Sequence, residues 1–127
     1  MRLCALPGDD HEKNIFHALS HGMSKDFNVL LGLRQEILDI KDPVDADNII
    51  DRWSSKLKSL DSYCTSLNMF CKKYPGNEML NDIKVADFIL EVRSFLDTNK
   101  APSISSNKQQ EDVKDILAQL DMFSKLS

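Results

Sequence analysis

The sequence predicts an all-α protein, a four-helix antiparallel bundle built on a long helical hairpin. Apolar residues recur at helical spacing over four separate stretches, capping residues stand at the starts of three of them, and only four glycines and four prolines interrupt 127 residues. So few breakers leave little room for the turns of a strand-rich fold. The length suits one domain with one hydrophobic core.

Residues 1–8 read as a flexible arm. The first helix is expected over about 9–41, opening at Asp9 or Asp10, where Asp9-x-x-Glu12 resembles a capping box whose side chains satisfy orphan backbone N–H groups. Phe16, Met23, Leu30 and Ile37 repeat every seven residues, Leu19, Leu33 and Ile40 fill the second seam position, and Asp26 interrupts the stripe. Gly22 and Gly32 each weaken a helix by up to about 1 kcal/mol relative to Ala. A kink near Gly22 is the alternative to one continuous rod.

Asp42-Pro43-Val44-Asp45 starts the second helix. Asp42 is the cap, Pro43 takes the first helical position where an N–H has no acceptor, and Asp45 offsets the positive helix end. From there Ala46, Ile50, Trp53, Leu57, Leu60, Cys64, Leu67, Cys71 and Tyr74 follow alternating steps of four and three. Such a seam requires a neighbouring helix along its length. Pro75-Gly76-Asn77 ends the helix, which is expected over 43–74.

The third helix is expected over 78–97. Its apolar residues cover more than half its circumference, so it needs neighbours on more than one side. Residues 98–108 are small and polar with one proline and read as a mobile linker, which frees the C-terminal helix over 109–127 to pack in cis or in trans. Ser106-x-x-Gln109 can cap that helix, and Val113, Ile116, Leu117, Leu120, Phe123 and Leu126 form its amphipathic face. Residues 9–97 therefore make the bundle domain, which the last helix can either complete as the fourth helix or leave as a detached element.

The net charge of −4 disfavours nucleic acid as a partner, because its binders concentrate basic residues on one surface. No stretch is long and apolar enough for a membrane span. Cys4, Cys64 and Cys71 are an odd set without CxxC spacing, which points to a reducing compartment, cytoplasm or nucleus. Cys64 and Cys71 lie seven residues apart on the seam, about 10 Å along the helix and beyond disulfide reach.

No glycine-rich phosphate loop, nucleophile elbow or calcium-loop spacing is present, and the acidic clusters fall in first turns of helices, where capping explains them. The expectation is a chain that is not an enzyme and uses no cofactor, metal or small-molecule substrate. His17 and His21, one helical turn apart, carry the alternative, a regulatory bundle that senses a metal or small ligand.

Helix lengths suggest a partner. Two rods of about 45 Å are followed by helices of about 30 Å and 27 Å, so one short helix cannot cover the hairpin. Either the last two helices lie end to end, or a second chain covers the rest. The sequence thus predicts a helical interaction module, an adaptor or subunit of a larger intracellular assembly, or a homodimer. Candidate partner-facing residues lie off the main seams: Phe27, Leu31 and Leu38 on the first helix, Ile49, Tyr63 and Phe70 on the second. Ile116, Leu120 and Phe123 on the last helix complete the set.

Overall fold

Asp42 sets the frame of the molecule by separating two long helices. The computed structural model describes residues 7–77 and 84–125, with side chains from His11 onward. Helix α1 spans Pro7–Leu38 and α2 spans Pro43–Lys73. Asp42 has extended backbone angles, and its carboxylate accepts the Val44 N–H at 3.0 Å. Pro43 follows at the first helical position, Asp45 lies in the first turn, and the Tyr74 N–H closes the far end on the Phe70 carbonyl.

The start of α1 differs from the expected capping box. The described helix already includes Pro7, so Asp9 lies inside it and not at its N-cap. Residues 7 and 8 of the expected arm are therefore helical, and the rest of that arm, Cys4 included, lies outside the described residues. Glu12 accepts instead from Asn77 Nδ2 at 3.2 Å, tying α1 to the turn after α2.

No kink forms at Gly22, because α1 runs unbroken through it. The glycine serves a close approach: a Cβ built there would lie 2.7 Å from Tyr63 Cε1 and nearer still to the ring's Cζ and Oη. Asp26, the polar interruption of the seam, is buried beside α2 with one oxygen 3.6 Å from Lys56 Nζ and its Oδ2 unbonded.

Helix α3 spans Val85–Thr98, shorter than the expected 78–97. Lys84 adopts φ 50° and ψ 54°, a left-handed conformation that an α-helix interior does not admit, so the helix starts after it. Positions 78–83 of the expected helix lie outside the described residues. Helix α4 spans Lys108–Ser124.

The four helices pack around one core. At one end Phe16 of α1 meets Phe70 of α2 at 6.1 Å and Phe123 of α4 at 5.6 Å between ring centroids, and Phe123 meets Phe88 of α3 at 4.9 Å. Every helix thus contributes a ring to this layer. Farther along, Phe27 and Phe95 meet edge to face at 5.7 Å. These layers join the N-terminal part of α1 to the C-terminal parts of α2 and α4, so the neighbouring helices run antiparallel.

Of the two placements open to the C-terminal helix, packing in cis is the one observed: Val113, Ile116, Leu120 and Phe123 are buried in the shared core. Six of the nine candidate partner-facing residues, Phe27, Ile49, Phe70, Ile116, Leu120 and Phe123, are also interior, while Leu31 and Tyr63 are half-buried against the core. The reason is that α1 contacts both α2 and α4, and α2 also contacts α3. Both stripes of each long helix are needed to fill the bundle. On α2 the inward residue of the first turns is Ile49, and Ile50 stands at the margin.

The linker is also bound rather than loose. It crosses the end of the bundle as a strap held by three side chains. Trp53 Nε1 donates to the Asn99 carbonyl at 2.9 Å. Arg34, only 6% exposed, donates from Nε to the Ser103 carbonyl at 2.8 Å, and from its two terminal nitrogens to Gln110 Oε1 and the Ser106 carbonyl, each at 2.7 Å. Gln109 does not return to its helix cap. It is buried, donates to Asn99 Oδ1 at 2.9 Å and the Ala101 carbonyl at 3.1 Å, and accepts the Ser103 N–H at 2.7 Å. Ser106 supplies the helix start instead, accepting the Lys108 N–H at 3.1 Å.

Two outcomes follow from this packing. Gly22→Ala should lower the urea midpoint despite a helix-propensity gain of about 1 kcal/mol, and should raise it in a Tyr63→Ala background, where the ring is gone. Arg34→Gln should cost about 2–4 kcal/mol, because charge-assisted hydrogen bonds are lost and strap carbonyls are left unpaired. Limited trypsin digestion should then cut at Lys100 faster than in the wild type, because the backbone around it is no longer held by Arg34.

Candidate partner-binding site

Length decides where apolar surface is left uncovered. Helices α3 and α4 lie side by side, not end to end: Phe88 meets Phe123, Gln119 donates to Glu91 at 2.9 Å, and Gln109 reaches Asn99 across the strap. The 14 and 17 residues of α3 and α4 therefore cover the same stretch of a hairpin whose helices have 32 and 31. The covered stretch ends at the strap, level with Arg34 and Trp53. Beyond it α2 continues for ten residues back to Pro43, about 15 Å of helix, and α1 continues for one turn.

This overhanging tip carries a concentration of exposed aliphatic side chains. Leu38 is 50% exposed, Val44 71% and Ile50 36%, and Ile104 on the strap is 53% exposed. Leu38 stands one turn beyond Arg34, and Ile50 one turn beyond Trp53. Both therefore lie on the tip side of the residues that bind the strap, and Ile104 lies on the strap itself. Of the nine residues expected to face a partner, Leu38 alone is exposed in this way. Met69, Leu90 and Met122 are exposed too, one each on α2, α3 and α4, outside the overhanging tip.

Between the two helix ends the tip forms a groove of about 490 Å³ lined by Ile40 and Ile49, with Glu36, Asp39, Asp42 and Asp45 among its polar residues. Arg52 lies 3.7 Å from Glu36, both side chains half-exposed. Val44, Ile50 and Ile104 were not singled out as partner-facing by the seam pattern. Val44 and Ile104 belong to no seam, and Ile50 was assigned to the interior. The legible signal was the crowding of apolar residues around the Asp42-Pro43 helix break, where few neighbours can cover them.

Elsewhere the ionisable groups are placed for structure. A larger groove, about 650 Å³, lies among α3, the strap and α4, where Lys108 already pairs with Asp112 at 2.9 Å. Burial pushes the Cys64 thiol up to about 11, outweighing the opposing effect of Arg93, and burial also raises Cys71. Both thiols are therefore poor nucleophiles at neutral pH. His21 is exposed and His17 half-buried, and among the described residues no group of three histidine, cysteine or acidic side chains could hold a metal ion. Among the same residues no helix is long and apolar enough to cross a membrane.

No protein family, curated protein or solved structure matches the chain.

The acidic residues of the tip include two that oppose helix stability. Glu36 lies in the last turn of α1 and Asp39 directly after it, where the macrodipole is negative and the turn itself holds no basic residue, although Arg52 of α2 lies 3.7 Å from Glu36. Asp39→Asn should therefore raise stability by about 0.3–1 kcal/mol at low ionic strength, read as a higher melting temperature that salt erases.

Proposed function

We propose that the chain is a non-catalytic helical interaction module that docks a partner protein through the overhanging tip of its α1–α2 hairpin. The observation that carries this reading is the overhang: Leu38, Val44, Ile50 and Ile104 stand exposed at the end that α3 and α4 leave uncovered. Exposed aliphatic surface lowers solubility and adds no folding energy, so its gathering at one end calls for an occupant. The tip is held by the Asp42 cap and by Ile49 packed into the groove beneath it, which keeps it pre-organised for docking. The odd number of cysteines without CxxC spacing supports a reducing compartment, the cytoplasm or nucleus, for such an adaptor or subunit of a larger assembly.

A pair of variants tests the proposal. Leu38→Ser/Val44→Ser removes apolar surface from the tip alone, and Met69→Ser/Leu90→Ser removes as much from the sides of the bundle. Both should keep wild-type circular dichroism and melting temperature within about 1 kcal/mol of stability, since the replaced side chains are exposed. With the full chain expressed in cells and cross-linked, a partner retrieved by wild type and by the side variant should be lost from the tip variant. An identical set of cross-linked partners for all three proteins would refute docking at the tip.

A further inference from the structure

The charge of the tip bears on what binds there. Residues 35–52 hold six of the chain's 20 acidic residues and two of its 16 basic ones, so this segment alone carries the full net charge of −4. The rest of the chain is balanced, with 14 of each sign. The imbalance is not explained by helix capping. Asp42 caps α2 and Asp45 lies in its first turn, but Glu36 and Asp39 lie at the C-terminal end of α1, where negative charge works against the helix. Among the described residues only Glu36 of these acids has a basic partner within 4 Å, the half-exposed Arg52 at 3.7 Å, and such an exposed pair contributes little.

A groove lined by Ile40 and Ile49 with four acids against two bases, Lys41 and Arg52, on helix ends that also carry the exposed Leu38, Val44 and Ile50, matches a ligand that presents aliphatic side chains on one face and lysine or arginine on its edges. We infer that the partner segment at the hairpin tip is a basic amphipathic helix of about three turns, the length that fits some 15 Å of overhanging α2. The inference rests on the tip being the docking site. It excludes a second copy of this chain meeting tip to tip, because two surfaces of −4 repel when their apolar residues are brought together. Opposite charge on the partner instead speeds encounter and selects against acidic helices of the same apolar pattern.

The test uses the full chain and two labelled synthetic helices with identical leucine spacing, one with lysine and one with glutamate at every polar position. Binding is read by fluorescence anisotropy at about 50 mM and 500 mM salt. The lysine helix should bind and the glutamate helix should not, and affinity for the lysine helix should fall at least tenfold at the higher salt. Glu36→Gln/Asp39→Asn/Asp45→Asn, which spares the Asp42 cap, should weaken binding at least tenfold, and so should Leu38→Ser/Val44→Ser. Equal binding of the two helices, or binding unaffected by both sets of substitutions, would overturn the inference, as would no binding of the lysine helix. Those results are separable from failure of the docking site itself. If the tip variant still loses a cellular cross-link while the lysine helix does not bind, the site stands and the assigned partner chemistry falls.

Discussion

The structure depends on a mismatch of length. Two helices of more than thirty residues are covered by two of about half that size, and the shorter pair packs side by side instead of in tandem. Side-by-side packing gives each long helix two neighbours over the covered stretch, which is why both apolar stripes of α1 and α2 point inward there. It also concentrates the aromatic rings of all four helices into one layer at Phe16, Phe70, Phe88 and Phe123. What the short helices do not reach becomes the tip. Core and exposed surface are thus two results of one geometric fact.

The strap marks the boundary between them. A chain segment without regular structure must still satisfy its carbonyls when it runs over a packed core, and here side chains of α1, α2 and α4 do so. Arg34 is notable because its buried guanidinium meets only neutral oxygens. A guanidinium can be buried in this way when its donors meet well-placed dipoles, and its planar fork reaches three acceptors that an ammonium group could not span. Trp53 combines the same task with core filling, its ring fully buried and its N–H on Asn99. Asp26 is the contrasting case. Its carboxylate is buried with Lys56 nearby and one oxygen unbonded, an arrangement that costs stability.

The tip follows a different logic. Its hydrogen bonding is complete at the Asp42 cap and its floor is packed, but its outer face combines exposed aliphatic residues with acids at an unfavourable helix end. Stability alone does not select that combination. Proteins commonly tolerate such local costs where a surface is used for binding, since the margin is supplied by the core elsewhere.

Local signals in the sequence were enough for the helical class, the limits of α2 and the placement of the turn. Capping by Asp42, entry through Pro43 and termination at Pro75-Gly76 act between residues close in the chain, and their physics does not depend on the rest of the fold. The Trp53 to Leu67 seam was legible for the same reason, since spacing alone places those residues on one face. Tertiary structure decided the rest. Whether Phe27 and Phe123 meet each other's neighbours or a foreign chain depends on which helices lie alongside, and those contacts join residues 35 to 107 positions apart. The strap could not be read from residues 98–108 because the groups that hold it, Arg34 and Trp53, lie on distant helices. The same is true of Gly22, whose role is set by a tyrosine on α2. Apolar pattern determines which side chains seek cover, but only the assembled lengths of the helices determine which of them receive it.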